Sequence, residues 1–360
     1  MSKWLFYLLV LPATLGLCGW QGWLWWSWAS SPAVAASNSA TATDQPIQIE
    51  IPEGTSAQQI GEDLEAAGII QSADAWNLWT RWQSLRDRQG GFQAGTYELS
   101  PTEPLAAIAN IVWQGNVVQQ SFTIPEGWGM KEIAAYFEEQ GFFAADAFLA
   151  ATQQIPRDRY PWLPPDIVNL EGFLYPDTYQ VAEISTPEAV INQMLDRFEQ
   201  AALPIYEQNQ ANSPYTLLEW VTLASIVERE AVVGEERPLI ASVFAKRLRE
   251  GIPLGADPTV EYAFGIRQTP DQPLTFAQVN TPSPYNTYVN AGLPPGPISS
   301  PGLASLEVSL NPTDTEYLYF VARYDGTHVF SRTLAEHQAA QDQIHDNLEQ
   351  QREAPANSVQ

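Results

Sequence analysis

The chain has 360 residues, with 17 basic against 42 acidic side chains and a formal net charge of −25. No basic stripe is available to neutralise phosphates, which excludes a nucleic-acid partner, and a single cysteine excludes a disulfide framework. The length leaves room for two or three domains after any targeting segment.

Residues 4–28 carry no charge over twenty-five positions, long enough to cross a bilayer, and predict a transmembrane anchor. Lys3 in front of it keeps residues 1–3 on the cytoplasmic side. Six of the thirteen tryptophans lie in this stretch, and Trp20, Trp23, Trp25, Trp26 and Trp28 cluster where an outer aromatic belt belongs. The alternative is a signal peptide cleaved near Ala33-Val34-Ala35, but the apolar run is longer and richer in tryptophan than a usual h-region. Bulky Leu17 before Cys18 argues against lipidation. On either reading the chain after about residue 30 is extracytoplasmic or periplasmic, at the plasma membrane.

Residues 29–46, rich in Ala, Ser and Thr, predict a flexible linker. Ile47, Ile49 and Ile51 then alternate with polar residues as a half-buried strand does, and Ser56–Ala67 reads as a helix closed by Gly68. The unit recurs 73 residues on, where Ile51-Pro52-Glu53-Gly54, Ile60 and Gly68 meet Ile124-Pro125-Glu126-Gly127, Ile133 and Gly141. Two copies are too few for a solenoid. Between them lie a helix at Ala75–Leu85, a strand at Gly95–Leu99 and a helix at Pro104–Val112. Residues 47–150 are thus a strand–turn–helix repeat region, whose role is either polymer binding or spacing. Clustered prolines after Ala151 mark a new domain over 151–348, and 349–360 is expected to be a disordered tail.

The second domain is organised around Leu217–Glu230, fourteen residues without Gly or Pro that read as a buried helix. At 100° per residue Leu217, Val221, Ala224, Ser225 and Glu228 share one stripe, while Glu230 points about 200° from Glu228 and is expected in solvent. A carboxylate closing a buried stripe is costly unless paired; burial raises its pKa and suits it to general-acid work. The bland alternative is a structural pairing of Glu228 with Arg247 or Arg249, on a helix spanning Pro238–Glu250. Gly255–Tyr262 and Pro282–Pro297 read as ordered loops, of the kind that carries binding residues. Strands at Tyr317–Ala322 and Gly326–Phe330 and a helix at Thr333–Leu348 complete the chain. His328, His337 and His345 do not make a convincing ligand set, and no metal is expected.

Several motifs together resemble the YceG-like endolytic murein transglycosylases. They are LEGFLYPDTY at 170–179, LASIVERE at 223–230, SVFAKRL at 242–248, ADPTVEYAFG at 256–265, SPYNTY at 283–288 and GLPPGPISSPGLASLEVSLNP at 292–312. The resemblance covers roughly residues 45–345, with Lys246 and Gln338 standing where the family usually has Asn. It implies an α+β chain with a transmembrane helix, a small LysM-like module and a mixed α+β catalytic domain.

The activity it implies is endolytic cleavage of the MurNAc–GlcNAc β-1,4 bond of nascent glycan strands, leaving 1,6-anhydromuramoyl ends and ending strand elongation. By position the resemblance makes Glu228 the catalytic acid and base, in agreement with the helical stripe. Ser283, Tyr285, Asn286 and Tyr288 are candidate sugar contacts, or else a rigid turn, and Glu171 and Asp257 could orient the acid or bind substrate. Expected partners are glycan strands, the plasma membrane and peptidoglycan synthases. No cofactor is expected: a pyridoxal-phosphate lyase needs a Schiff-base lysine, and outside the anchor only Lys131 and Lys246 exist. The rival readings are a muramidase that hydrolyses with a second carboxylate and a non-catalytic wall-binding scaffold.

Overall fold

The computed structural model describes residues 3–34, 45–87, 91–182, 185–269, 272–323 and 325–353. They form a mixed α+β chain in two compact units, Met1–Ser121 with Gln180–Ser185, and Phe122–Tyr179 with Thr186–Gln360. The units divide well before Ala151, where the composition changes.

Helix α1 (Lys3–Ala29) begins the first unit. Its side chains are described from Leu11 onward, and among the described residues no helix is long and apolar enough to cross a membrane. Leu11, Leu15, Trp20, Trp23 and Trp28 are exposed, whereas Ala29 is fully buried in the unit's core. The residues after α1 are not a free tether. Ser30 O accepts from Leu105 N, Gln71 Nε2 donates to Ser31 Oγ and Pro32 O, and Val34 N donates to Pro101 O. Positions 35–44 of the expected linker lie outside the described residues.

Strand β1 (Ile47–Ile51) is followed by α2 (Ala57–Ala66), α3 (Ala73–Arg86), β2 (Gly95–Leu99) and α4 (Leu105–Gln114). β1 and β2 pair antiparallel with Ile47 opposite Leu99. Ser56 and Ser72 cap the two helices by accepting from Gln59 N and Ala75 N, satisfying donors that a helix start leaves free. Trp76, Trp79, Phe92 and Trp113 pack ring against ring at 5.2–6.4 Å.

Next come β3 (Gln119–Thr123), α5 (Met130–Glu139), α6 (Ala145–Thr152), β4 (Thr178–Ala182), α7 (Pro187–Ala201) and α8 (Leu203–Asn209). β3 pairs with β4. The sequence repeat is real in the backbone: Gly54 and Gly127 have φ of 81° and 79°, and Gly68 and Gly141 71° and 76°. Both turns need the left-handed conformation that glycine adopts without steric cost. The two copies nonetheless belong to different units.

The second unit is built on α9 (Leu217–Glu230), whose residues from Trp220 to Val227 are all buried. Thr216 and Glu219 form a capping box at its start. Trp220 Nε1 donates to Leu306 O, and Tyr206 stacks on the same indole. After α9 the chain forms α10 (Arg237–Glu250), α11 (Asp257–Phe264), the short α12 (Phe276–Val279) and α13 (Leu303–Leu310). β5 (Tyr319–Ala322) and β6 (His328–Ser331) then pair antiparallel, and α14 (Leu334–Glu353) follows.

Two expectations are corrected here. Gly255–Tyr262 is not a loop: Pro258 sits in the first turn of α11, where its missing N–H is harmless, and Gly265 closes the helix at φ 62°. Helix α14 runs past Leu348 to Glu353, while positions 354–360 of the expected tail lie outside the described residues.

Gly172 joins the 170–179 segment to the core at φ 81°, and a Cβ there would lie 2.4 Å from Pro297 Cβ and 3.0 Å from Val221 Cγ1. Gly172→Ala combines backbone strain with a clash, so a loss of about 2 kcal/mol or more is expected in a denaturant melt, against wild type.

Candidate active site

Helix α9 ends against loops rather than solvent. Ser225 Oγ accepts from Ile298 N at 3.0 Å, and Ser299 Oγ donates to Ser225 O, which stitches the 292–302 segment along the helix. The last turn therefore sends Glu228, Arg229 and Glu230 into three different surroundings.

Glu228 is held at both oxygens. Gly302 N donates to Oε2 at 3.0 Å, and Arg237 Nη2 lies 3.4 Å from Oε1, with only 7% of the glutamate side chain exposed. The arginine partner is thus Arg237, not Arg247 or Arg249. Glu126, from the second copy of the repeat, lies against Gly302, and its carboxyl is pushed above the ordinary value by burial and by the charge of Glu228.

Glu230 is not the solvated residue expected from the helical wheel. It lines a cleft of about 520 Å³ together with Arg247, Asp257, Tyr288, Tyr319 and His337. The residue keeps part of its surface open, but its carboxyl sits deep and accepts from the Asp257 backbone N–H at the start of α11. Burial above all, then the charges of Asp257 and Glu261, raise its pKa to about 8, against the pull of Arg247. A carboxyl group that stays protonated at neutral pH beside an open cleft can donate a proton to a bound ligand.

Asp257 faces the same cleft. Tyr288 Oη donates to its Oδ1 at 2.6 Å and Gln268 Nε2 to its Oδ2 at 3.1 Å. Arg247 donates to Leu318 O and Leu254 O and lies 5.1 Å from the Tyr319 ring centre, whose ring stacks on His337 at 5.3 Å. Burial and the charge of Arg247 depress the His337 pKa.

Of the four candidates in the 283–288 turn, only Tyr288 lines the cleft. Asn286 is fully buried, donating to Val279 O and Thr281 O and accepting from Tyr288 N. Ser283 Oγ accepts from Tyr285 N, and Tyr285 packs on Tyr262. Ser283 and Asn286 thus spend polar groups on the turn itself, and Tyr285 packs against α11. Glu171 lines a separate cavity of about 260 Å³, accepting from Met130 N and Tyr262 Oη, and burial raises its pKa to about 7. Among the described residues, no group of three or more His, Cys, Asp and Glu could hold a metal ion.

Residues 49–343 match the YceG-like family. The endolytic murein transglycosylase of Bacillus subtilis (strain 168) is 32% identical over 310 residues, which is 82% of this chain and 84% of that protein. The protein of that name from Streptococcus pneumoniae serotype 2 is 33% identical over 305 residues, and the chain spans about half of its length, 54%. A crystal structure of a YceG-like protein from Listeria monocytogenes superposes with a TM-score of 0.56 at 32% identity, covering 82% of this chain and 99% of that one.

The raised pKa of Glu230 has a consequence for stability. The folded state holds this proton more tightly than the unfolded chain, so ionisation costs stability as pH rises from about 4.5 to about 8. Glu230→Gln removes that loss, worth about 1.4 kcal/mol for each pKa unit. The variant is expected to melt at nearly the wild-type temperature at pH 4 and several degrees above it at pH 8. Equal melting temperatures at pH 8 would show that the carboxyl is not strained.

Proposed function

Because the chain belongs to the YceG-like family, we propose that it is an endolytic peptidoglycan lytic transglycosylase whose general acid is Glu230. The observation that carries the assignment within the site is that Glu230 lines an open cleft, where burial beside Asp257 and Glu261 raises its pKa. The relatives named as endolytic murein transglycosylases support the reaction. Glu228, favoured by the sequence pattern, has both oxygens occupied by Arg237 and Gly302, as a structural ion pair would.

Glu230 protonates the glycosidic oxygen as the bond to muramoyl C1 breaks. The muramoyl C6 hydroxyl, held near C1 on the same sugar, attacks and gives its proton to the Glu230 carboxylate, which restores the acid. An internal nucleophile of this kind removes the need for a second carboxylate to activate water. Asp257 and Glu261 keep the region around Glu230 negative, which favours the positive charge developing at C1. Tyr288 offers its ring edge to the sugar while its hydroxyl holds Asp257. Breaks made this way inside nascent strands would end their elongation.

Digestion of purified peptidoglycan by the full chain in detergent, read by mass spectrometry, tests this assignment. Anhydro-ended internal fragments are expected from wild type and from Glu228→Gln, with at least a ~100-fold loss for Glu230→Gln. The Glu228 change should instead lower stability, because it breaks a nearly buried ion pair. Activity lost in Glu228→Gln but kept in Glu230→Gln would reverse the two roles. Reducing ends would mean hydrolysis, and no cleavage by wild type would favour a wall-binding scaffold. The pH profile of wild type should fall on its basic limb near pH 8, as the acid loses its proton.

We also propose that α1 anchors the protein in the plasma membrane, with the rest outside the cytoplasm and within reach of peptidoglycan synthases. At 1.5 Å per residue its 27 residues extend about 40 Å, and its described tryptophan and leucine side chains are exposed. The first unit, a strand–helix–helix–strand body, is the LysM-like module on this reading. Full-length protein is expected to resist alkaline extraction from membranes, whereas residues 45–360 should appear in the soluble fraction; extraction of the full chain would exclude the anchor.

A further inference from the structure

Helix α11 lies between two of the cavities of the second unit, the cleft around Glu230 and the cavity around Glu171. Asp257 at its start lines the larger one, and Pro258, Glu261 and Tyr262 line the smaller. Helix α9 is divided in the same way, with Glu230 in the larger cavity and its neighbour Arg229 in the smaller. The smaller cavity is crowded with charges, yet almost every one is paired inside the protein. Arg229 reaches Glu261, Glu132 and Gly127 O, and Arg267 reaches Glu132. Such a cavity serves its own walls better than a ligand.

The centre of this network is Glu261, 7% exposed. Its Oε2 accepts from Arg229 Nη2 at 3.0 Å, with 14% of the arginine side chain and 8% of the glutamate's exposed. Its Oε1 accepts from Gln268 N at 2.9 Å. Gln268 then turns its side-chain amide onto Asp257 Oδ2. One buried carboxylate therefore reaches the cleft by two routes: through Arg229 to the residue beside it on α9, Glu230, and through Gln268 to Asp257.

We propose that Glu261 is a positioning residue for the cleavage reaction, clamping the end of α9 to α11 so that Glu230 and Asp257 keep their places in the cleft. The proposal rests on Glu230 being the acid. Sequence spacing gives no sign of the clamp, since Glu261 sits in the apolar turn of a segment read as a loop. The same carboxylate adds negative charge near Glu230, and so helps to hold the acid's proton. The other charged or titratable groups around Glu230 are Asp257 on α11, Arg247 on α10, Tyr288 on its loop, Tyr319 on β5, His328 on β6 and His337 on α14. Those around Glu261 are Arg229, Lys131, Glu132, Glu171, Tyr262 and Arg267. Glu261 is the one acid that belongs to the second group and still acts on Glu230.

Glu261→Gln keeps an acceptor for Gln268 N and loses the ionic hold on Arg229, so the full chain carrying it, with Glu230→Gln alongside, makes the test. The expected result is a kcat about tenfold below wild type with KM changed less than about twofold. The basic limb of the pH profile should also move to lower pH, because a like charge beside the acid is gone. A folded variant with wild-type kcat and basic limb, or with lower kcat and an unmoved limb, would overturn the proposal. If Glu261→Gln does not fold, Gln268→Ala decides it. That change is milder, at a half-buried residue, and should lower kcat at constant KM; wild-type kcat there would overturn the clamp. Full activity in Glu230→Gln would instead defeat the reading beneath it, whatever the Glu261 variant does.

Discussion

The second unit depends on the enclosure of α9. From Trp220 to Val227 every residue is buried, so the helix has no solvent face on which to place its polar end. A buried helix still leaves its last carbonyls and any charged residues of its last turn to be satisfied. Here the solution is a set of walls: the 292–302 segment stitched to Ser225, Arg237 of α10 opposite Glu228, and α11 opposite Arg229 and Glu230. The carboxylates therefore differ in chemistry because they enter different walls, not because they differ in type.

This is also why the site was only partly legible in sequence. The apolar run located α9 to the residue, because fourteen positions without Gly or Pro leave little choice, and the capping box of Thr216 and Glu219 sets its start. The repeat was legible for a similar reason: a glycine needed at positive φ marks its turn whatever surrounds it. The role of each glutamate was not. A helical wheel separates one face from another, but assigning the second face to solvent assumes that nothing covers it. The covering element is α11, itself read as a loop because its eight residues open with Asp-Pro and hold only a short apolar stretch. With α11 missing, neither the cleft around Glu230 nor the Glu261 pairings could be foreseen.

The same limit applies to the tether. Ala, Ser and Thr with two prolines make a composition that cannot build a core, and flexibility follows from that alone. Yet Ser30, Ser31 and Val34 are held by backbone and amide groups of the first unit, contacts that need polar partners and not apolar ones. Composition reports what a segment can bury, and is silent on what it can be hydrogen-bonded to. Likewise the turn at 283–288 looked rich in sugar-binding groups, but Asn286 spends its amide on Val279 O and Thr281 O. A polar side chain in a tight turn often stabilises that turn, leaving Tyr288 as the member free to face the cleft.

A transglycosylase that uses one carboxyl group asks two opposed things of it. The group must hold a proton at neutral pH, and it must lie among charges that tolerate a developing cation. Burial alone meets the first demand but would leave an apolar pocket hostile to the second. Negative neighbours meet both on the proposed assignment, since Asp257 and Glu261 disfavour ionisation of Glu230 and would favour positive charge at the scissile carbon. The difficulty moves to keeping those neighbours in place. Asp257 is held by Tyr288 and Gln268, and Glu261 by Arg229. Each of these contacts holds a neighbour in place without touching Glu230 itself. The arrangement thus separates Glu230, which is poorly solvated, from the carboxylates around it, which have hydrogen bonds and ion pairs of their own.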